Sequence, residues 1–578
     1  MAREYCNPLN IEYKFQHYGK WAHREAADPT MVLFKGKYYL FASMSAGFYW
    51  SEDLIHWTWH ENRELDMYRY APDAHVVGDW LYFCASTRGI PSTFWRTQDP
   101  LSDRFEKVAE PFAFWDPAFF ADDDGRFYLY QGCGNSPLDG VELDPVTMQP
   151  KGEKVIVVRS DIARHGWERY KGEGIQAEKA NSFATAVLVP LFNPKGLPFM
   201  EGCFMNKIGG TYYLQYAAPG TERNLYGNGV YIGDGPLGPF RFQTHNPFSL
   251  VPTGFITGAG HGSTMEDTYG NLWHIATMRI GVHQYFERRL GLFPAGVDED
   301  GILFCNQNFA DYPIILPEGK FDPKKLQPHY MLLSYKKKGT ASSTLKGHDP
   351  ALALNENIRN WWCAQGSAGE WYQVDLSKVY TVHSIQLNLA EEGIPVQKYP
   401  KTVRSTDISS NHRYTESGND FHTRYIMEGS LDGSHWFVLK DASATDADLT
   451  HDYVVLPEDR RLRYVKVTAL ELPYGHKFAI SGLRVFGLDN GEKPAAVTHL
   501  SRKRTGPMNA TLQWEAVSGA IGYNVRYGIA PDKLYTSFLL YDQCELYLTT
   551  LNADTEYWAC VDSFNESGIT EGCVLQLP

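Results

Sequence analysis

Short aromatic and β-branched runs, separated by glycine, aspartate and asparagine, fill residues 1–310. Runs of this length between turn-forming residues predict many short β-strands. Five segments share one order of features, namely a polar residue, a strand, a tight turn and an aromatic strand. Their polar residues are Asp28, Asp73, Asp116, Glu201 and His261. The pattern therefore predicts one hairpin unit that is repeated five times.

The predicted hairpin turns all contain glycine, which tolerates the backbone angles that tight turns need. They are Lys35-Gly36-Lys37, Gly78-Asp79, Asp123-Asp124-Gly125, Gly209-Gly210 and Tyr269-Gly270-Asn271.

The five segments start 45, 43, 85 and 60 residues apart. Two spacings fit a propeller blade of about 40–50 residues, and two indicate insertions. We predict an all-β fold in which residues 1–330 form a five-bladed β-propeller, followed by two β-sandwich domains. Radial repetition protects strand edges that a flat array of hairpins would expose. A β-sandwich with hairpins alike by chance is the alternative, but it does not explain the polar residue at the head of every unit.

The polar heads should converge, because the first strand of each propeller blade lines the central axis. Four carboxyl groups and one imidazole in one funnel raise one another's carboxyl pKa values, and burial disfavours their ionisation. Such clusters are typical of functional sites. One protonated and one ionised carboxyl group, on opposite sides of a sugar, are the arrangement for glycoside hydrolysis.

Five signatures at these heads resemble glycoside hydrolase family 43 over residues 20–310: Ala27-Asp28-Pro29, Ala71-Pro72-Asp73, Trp115-Asp116-Pro117, Glu201-Gly202 and Gly260-His261-Gly262. The resemblance implies an inverting catalytic domain with Asp28 as general base and Glu201 as general acid. It implies that Asp116 adjusts the pKa of Glu201 and helps to orient its side chain. Inversion needs roughly 6.5–9.5 Å between acid and base to admit water. Cys203 stands where many relatives have proline.

The remaining heads have less defined roles. In relatives the histidine that corresponds to His261 lies near a central ion or water, so His261 is a candidate ligand for calcium or another ion; the alternative is a core histidine. The predicted reaction requires no cofactor. Asp73 is expected to assist substrate binding or structure, because three carboxylates already fill the catalytic roles.

Substrate contacts are predicted from aromatic and basic residues near the heads. Phe114 and Trp115 precede Asp116 and could stack on a sugar face, or belong to the core. Arg279, which we place in the last strand of the fifth blade, is a candidate donor to a sugar hydroxyl or ring oxygen.

The long insertion before the fourth unit contains HGWERYKGEG. Loops of that length are usually functional or linkers. We expect either a pocket wall or a clamp on the propeller rim from His165, Trp167, Glu168 and Arg169.

Residues 339–489 resemble a discoidin or coagulation-factor C-type β-sandwich, most clearly in GEWYQVDLSKVYTVHSIQL and YIMEGSLDGSHWFVL. We expect a carbohydrate-binding module or a packing partner for the propeller, with Trp371 and Trp436 in the core. Asn355-Glu356-Asn357 stands where many relatives carry an Asp-Gly-Asn turn associated with a structural ion, which speaks against calcium there.

Residues 493–578 resemble a fibronectin type III domain. Trp514 falls in the second strand, and Leu551, Thr555 and Tyr557 suit a tyrosine corner. We expect a spacer or contact surface from this domain.

Composition narrows the partners and the setting. Lys+Arg 54 against Asp+Glu 68 gives a net charge of −14 over 578 residues, so the surface repels phosphate backbones, and nucleic acid is not an expected partner. We find no apolar run long enough for a membrane span. Nine cysteines without a C-x-x-C pair do not support a structural zinc site. The polar start lacks a signal core, and we hypothesise a secreted or periplasmic mature chain whose signal was removed.

These features together predict an exo-acting glycoside hydrolase on plant cell-wall polysaccharides or oligosaccharides. The resemblance favours α-L-arabinofuranosidase, with β-xylosidase and exo-galactosidase as alternatives within the family. Asp28 speaks against the galactan-cleaving branch, in which this base is commonly absent. The rival from another class is a non-catalytic carbohydrate-binding propeller.

Overall fold

The computed structural model describes residues 3–18, 21–62, 64–65, 70–86, 90–170, 196–394, 404–405, 413–415 and 421–578. Regular structure in these ranges is almost entirely β, so the all-β prediction is confirmed. The helical elements described are short 3₁₀ helices of three to five residues: Pro100–Ser102, Gly166–Glu168, Pro323–Lys325, Pro350–Leu354 and Pro473–Gly475.

Five four-stranded antiparallel sheets follow one another along the first half of the chain, and we name them blades 1 to 5. In chain order, blade 1 contains Ala27–Phe34, Lys37–Ser43, Gly47–Ser51 and Thr58–Glu61, and blade 2 contains Asp73–Val77, Trp80–Cys84, Phe94–Thr97 and Glu106–Lys107. Blade 3 contains Ala118–Ala121, Phe127–Gln131, Leu138–Leu143 and Pro150–Val158. Blade 4 contains Glu201–Ile208, Thr211–Ala218, Gly227–Gly233 and Phe240–Phe242, and blade 5 contains Thr257–Glu266, Leu272–Arg279, Arg288–Val297 and Leu303–Cys305.

The five blades form a closed ring. Their first strands contact one another in cyclic order, and the first strand of blade 5 meets that of blade 1. At this closing contact the Met31 amide donates to the Ser263 hydroxyl at 3.0 Å. Aromatic side chains fill the space between neighbouring blades, as Phe41 of blade 1 and Phe83 of blade 2 do with ring centroids 5.4 Å apart. The arrangement is a propeller.

The tight turns occur where the glycines predict them. Phe34 pairs with Lys37 across a two-residue turn in which Lys35 and Gly36 both have positive φ, 48° and 79°. Positive φ at both central positions matches the right-handed twist of the flanking strands.

Short strand pairs surround the ring. Arg3–Tyr5 pairs with Ile314–Leu316, and Pro91–Ser92 pairs with Phe112–Ala113. A further four-stranded sheet joins the start of the chain to the second half and contains Trp21–Glu25, Lys14–Tyr18, Arg413–Thr415 and Arg404–Ser405 in that order.

The second unit is one eight-stranded β-sheet folded over an apolar core. Its two long strands, Trp371–Leu389 and His451–Glu471, change register beside Val382 and thereby bend around the core. The other strands are Met331–Leu332, Lys338–Ala341, Trp362–Cys363, Arg424–Ser430, Trp436–Asp441 and Ala479–Leu488.

The core tryptophan of the second unit is not one of the two expected. Trp362 is fully buried, whereas Trp371 and Trp436 are half-buried. Trp371 begins a strand whose side chains alternate between core and solvent, and Trp436 begins a strand that has no buried side chain. The Lys466 ammonium covers the Trp436 ring at 4.2 Å. The discoidin-type identity of this unit stays a prediction.

The third unit consists of two facing antiparallel sheets. The Tyr557 hydroxyl accepts a hydrogen bond from the Asn552 amide at 2.9 Å, which is the kind of contact that a tyrosine corner makes. The fibronectin type III identity stays a prediction. The strands are Leu500–Gly506, Asn509–Trp514 and Glu545–Leu548 in one sheet, and Gly522–Gly528, Thr536–Tyr541, Trp558–Asn565, Gly568–Thr570 and Leu575–Gln576 in the other.

Buried ion pairs join the propeller to the second unit. The Arg24 guanidinium donates to both Asp448 carboxylate oxygens at 2.7 Å and to Glu391 Oε1 at 2.7 Å. Arg484 donates to Glu356 Oε2 at 2.8 Å and to Asp311 Oδ1 at 3.3 Å. Buried charges are tolerated when they are paired in this way.

The nine cysteines all lie in the described ranges, and each is a free thiol. In the part of the chain that the structure describes, no helix combines the length and the apolar character needed to cross a bilayer.

Replacing Arg484 by methionine should destabilise the chain strongly, because Glu356 and Asp311 would remain buried without their cation. Loss of one partner of a buried pair costs about 3–5 kcal/mol. The matched control is Arg463→Met. Arg463 pairs with Asp375, but its side chain is 38% exposed, so losing this pair should lower the free energy of unfolding by less than about 1 kcal/mol. Urea unfolding midpoints measure both; equal midpoints for the two variants would contradict the predicted role of Arg484.

Candidate active site

The heads of the blades meet at one end of the ring. Asp73 and Glu201 are the first residues of their blades' first strands, Asp28 is the second of its strand, and Asp116 precedes its strand by two residues. His261 departs from the expected position, because it is the fifth residue of Thr257–Glu266.

Local irregularities aim these side chains. The register of blade 1 shifts between Ala27 and Thr30, and that of blade 5 shifts on both sides of Gly260. Asp28, Asp116 and His261 have φ values of 49°, 48° and 43°. Left-handed backbone at a residue other than glycine is costly and is concentrated at functional sites.

Asp28 lies in an environment that favours its carboxylate form. Arg288 Nη1 donates to Asp28 Oδ1 at 3.0 Å, and the Ser43 hydroxyl donates to Oδ2 at 2.7 Å. Burial alone would raise the pKa of Asp28, but the Arg288 charge and these hydrogen bonds outweigh burial and lower the pKa. Asp28 is therefore an ionised carboxylate at neutral pH and can accept a proton.

Glu201 lies in an environment that favours its protonated form. Burial and the negative charge of Asp28 raise the pKa of Glu201 to about 7, although the Tyr226 hydroxyl donates to Oε1 at 2.6 Å. Burial and the charges of Glu201 and Asp28 also raise the pKa of Asp116 well above its ordinary range. The funnel thus holds one ionised carboxylate and two carboxyl groups that retain protons.

Cys133 lies between the two protonated groups and was not predicted. Its thiol donates to Glu201 Oε2 at 3.4 Å. Potential ligand atoms of Asp116, Cys133 and Glu201 lie within 4.8 Å of one another. Burial and the neighbouring carboxylates raise the pKa of the thiol, so Cys133 is a neutral hydrogen-bond donor here.

His261 faces the base. Its Nδ1 is 3.4 Å from Asp28 Oδ1, and burial lowers its pKa, so the ring is neutral. Gly202 has φ 63°, and a Cβ there would stand 2.6 Å from His261 Cγ, so the glycine after Glu201 leaves room for the ring. Among the described residues, no set of three potential ligands includes His261, and calcium takes six to eight oxygens. The role of His261 as a ligand for calcium or another ion stays a prediction.

Asp73 bridges three blades instead of lining open space. Its Oδ1 accepts from the Thr30 hydroxyl of blade 1 at 3.2 Å, and its Oδ2 accepts from the Phe119 amide of blade 3 at 2.6 Å. Burial raises its pKa to about 7. These contacts support the structural alternative for Asp73.

The aromatic candidates are not equally placed. Phe114 is 1% exposed and packs on Phe94 in the core between blades 2 and 3, so its ring offers no face to a sugar. Trp115 is half-buried directly before Asp116. Trp167 is fully buried against Tyr216, with centroids 5.5 Å apart, and is placed in the core rather than on a pocket wall.

The part of the insertion that the structure describes holds the third unit against the rim. Arg169 Nη2 donates to Asn509 Oδ1 at 2.7 Å, and the Gly166 amide donates to the Leu551 carbonyl at 3.0 Å. His165 stacks on Phe242 of blade 4 at 3.7 Å, and its Nδ1 lies 2.9 Å from Glu168 Oε1. This agrees with the clamp; residues 171–195 of the insertion lie outside the described residues.

Arg279 ends the second strand of blade 5 rather than lying in the last strand. It is the register partner of Arg288 on the neighbouring strand. Two residues before it lies Thr277, whose hydroxyl accepts a hydrogen bond from the Asp28 amide at 2.7 Å. Alternate residues share one face of a strand, so Arg279 stands on the face that carries the Asp28 contacts. Its Nη1 donates to Asn224 Oδ1 at 2.8 Å. The substrate-binding role of Arg279 stays a prediction.

Arg288, Ser43 and Tyr226 were not predicted from the sequence. None belongs to a head, because they lie at or near the ends of second and third strands, which return to the same mouth. The signal that points to Arg288 is the pair Arg288-Arg289 directly before the apolar run Leu290-Gly291-Leu292-Phe293, because a cation at the start of a buried strand needs an acidic partner.

The propeller segment matches a known family model. Residues 22–303 match the glycosyl hydrolases family 43. The propeller is a family 43 glycosyl hydrolase domain. The prediction of a glycoside hydrolase domain is thereby confirmed.

Curated relatives of this family 43 domain are distant. An arabinoxylan arabinofuranohydrolase of Paenibacillus polymyxa is 24% identical over 316 residues, which are 44% of this chain and 44% of that protein. A β-xylosidase of Xylanibacter ruminicola is 25% identical over 170 residues, 28% of this chain and 47% of that protein. The chain thus spans about half the length of these relatives.

Among solved structures, a thermostable family 43 glycoside hydrolase covers 55% of this chain and 100% of its own length at 21% identity and a TM-score of 0.42. A family 43 protein of Bacillus licheniformis covers 84% of this chain and 98% of its own length at 17% identity and a TM-score of 0.40.

Replacing Arg288 by glutamine should shift the acid limb of the kcat/KM profile to higher pH. The wild-type limb reports ionisation of Asp28, whose pKa lies below its ordinary value because Arg288 outweighs burial. Without that charge, burial raises the Asp28 pKa, so activity is lost at acidic pH values where the wild type still works. Arg126→Gln, on the exposed rim of blade 3, is the control. An unmoved acid limb would contradict this assignment.

Replacing Cys133 by alanine should move the basic limb upward. The wild-type limb falls as pH rises through the Glu201 pKa of about 7, because the acid then loses its proton. The thiol hydrogen bond favours the carboxylate, so its removal raises the pKa of Glu201 further. Cys573→Ala, at an exposed thiol, should keep the wild-type profile. A basic limb that moves to lower pH would show that Cys133 acts otherwise.

Proposed function

We propose that the chain is an inverting, exo-acting glycoside hydrolase that releases terminal sugars from side chains of plant polysaccharides. One observation carries the proposal: in a single funnel, Arg288 favours the ionised form of Asp28 while burial favours the protonated form of Glu201. An acid and a base with opposite protonation at neutral pH are what single-step inversion requires.

In the proposed reaction, water attacks the anomeric carbon as the bond to the leaving oxygen breaks. Asp28 takes a proton from that water, and Glu201 gives its proton to the leaving oxygen. Asp116 retains its own proton, so the carboxylate that forms on Glu201 faces no second negative charge there. Each turnover leaves Asp28 protonated and Glu201 ionised, and proton exchange with solvent restores the starting forms.

For the sugar, we propose an α-L-arabinofuranoside, with β-xyloside and galactoside as alternatives. The family match and the activities named for the relatives support this range: arabinoxylan arabinofuranohydrolase, β-xylosidase and β-D-galactofuranosidase. A net charge of −14 suits a neutral glycan better than a polyanionic one.

The two further units and the cellular setting belong to the same proposal. We propose a discoidin-type carbohydrate-binding or packing role for residues 339–489 and a fibronectin type III-like contact role for residues 493–578. Retardation of the full chain in arabinan-containing gels, with and without free arabinose, tests the binding role. We also propose secretion or periplasmic location, which fractionation of the producing cells tests.

Turnover of 4-nitrophenyl glycosides and matching oligosaccharides tests the reaction and names the sugar. We expect hydrolysis of the α-L-arabinofuranoside, and Glu201→Gln should lower kcat on oligosaccharides by about 10²–10⁴-fold because the leaving oxygen loses its proton donor. The loss should be smaller on aryl glycosides, whose leaving group needs little protonation. Glu266→Gln, at an exposed glutamate ending the first strand of blade 5, is the matched control.

The competing function is a non-catalytic carbohydrate-binding propeller. It predicts no turnover of any glycoside and binding of arabinan that Asp28→Asn and Glu201→Gln both weaken. Retained binding with lost turnover in these variants would instead support the enzyme.

A further inference from the structure

A loop of the second unit reaches the propeller beside the mouth. The Ile358 amide donates to the Phe255 carbonyl at 3.1 Å, and Ile358 is buried in the apolar cluster of blade 5. The loop is the one that contains Asn355-Glu356-Asn357. Glu356 pairs with Arg484, and Arg484 also pairs with Asp311 of the propeller segment, so Arg484 fastens this loop and the propeller together.

Arg359, the next residue of this loop, donates to three groups of the propeller. Its Nε donates to the Ile280 carbonyl at 3.0 Å, and its Nη2 donates to Asn224 Oδ1 at 2.6 Å and to the Thr257 hydroxyl. The Asn357 side chain accepts the Arg359 amide at 3.1 Å and fixes the loop backbone.

Asn224 connects this loop to Arg279 of blade 5. Its Oδ1 also accepts from Arg279 Nη1 at 2.8 Å and from the Thr257 hydroxyl at 2.9 Å. Asn224 precedes by two residues Tyr226, which donates to the proposed acid. Arg279 lies two residues after Thr277, whose hydroxyl accepts a hydrogen bond from the amide of the proposed base.

The two guanidinium groups thus share one neutral amide oxygen. A planar guanidinium with two or more fixed contacts is pre-organised, and positions the residue that it contacts. Arg359 and Thr257 together leave Asn224 Oδ1 one orientation, and that orientation determines where Arg279 is anchored.

We propose that Arg359 is a positioning residue for substrate binding, through which the second unit completes the wall of the catalytic mouth. It orients Asn224 and hence Arg279 toward the hydroxyl groups of the terminal sugar. This inference rests on the proposed function, because it names residues that bind the sugar on which the three carboxylates act. The second unit is then part of the active site and not only an attachment to it.

Kinetics of Arg359→Gln, Arg279→Gln and the double variant test this inference. On the glycoside that the wild type hydrolyses, Arg359→Gln should raise KM about tenfold, the value of one charge-assisted hydrogen bond, with little change in kcat. The double variant should be no worse than Arg279→Gln alone, since Arg359 acts through Arg279. Arg359→Lys, which keeps one donor, should recover part of the loss. Arg463→Gln, on the same unit away from the mouth, is the control.

Calorimetric titration with L-arabinose, D-xylose and D-galactose gives a readout that needs no turnover, and thermal melting shows that each variant is folded. A folded Arg359→Gln variant with wild-type KM and sugar affinity overturns the inference. A double variant whose KM increase is the product of the two single-variant increases also overturns it, because the two residues then act independently. A wild type that binds these sugars without hydrolysing any glycoside refutes the proposed enzyme, while the affinities of the variants still test the positioning role. If Arg359→Gln unfolds, wild-type affinity in Arg359→Lys and in Asn224→Asp together overturns the inference.

Discussion

The ion pair between Arg288 and Asp28 sets the electrostatics of the whole mouth. Arg288 is buried and also donates to Glu25 at 2.7 Å, so one guanidinium contacts two buried carboxyl groups. Bringing these charges out of water is costly, and only close, hydrogen-bonded geometry repays that cost. Because the cation lies nearer to Asp28 than to Glu201, the two carboxyl groups differ in protonation although they share one funnel.

Backbone geometry supports this electrostatic asymmetry. The bulges in blades 1 and 5 and the left-handed angles at Asp28, Asp116 and His261 turn side chains out of the regular alternation of a strand. An ideal strand would send these groups into the packing between blades. The closed ring of sheets supplies the packing that stabilises such strained residues.

The hairpins and the heads were predictable from the sequence because both depend on neighbours in the chain. Glycine turns fix each hairpin, and the repeat brings Asp28 and Glu201 to one mouth. Residues whose role depends on distant partners were not predictable in this way: Arg288 gains its role from Asp28 across the ring closure, and Cys133 from Glu201. The length of the insertion made Trp167 a candidate for a pocket wall, but its large apolar surface is buried in the core. In the second half, the alternation around Trp371 correctly predicted a strand. Periodicity does not tell which face of a strand lies against the core, and the fully buried tryptophan of this unit is Trp362, not Trp371. The loop that carries Arg359 has no apolar period at all, and its function follows from the surface against which it docks.

The pairing of the first strands with distant ones has a consequence for how the chain folds. Arg3–Tyr5 pairs with Ile314–Leu316, and Lys14–Tyr18 pairs with Arg413–Thr415. Contacts between residues so far apart in sequence form slowly, because a long loop must close before they yield any stabilisation. During synthesis on the ribosome, the blades can form one by one as hairpins, but the earliest segment must wait for the second unit to emerge. Until then its strand edges stay open to wrong partners, so synthesis rate and chaperones should influence the yield of active protein more than the stability of any single blade.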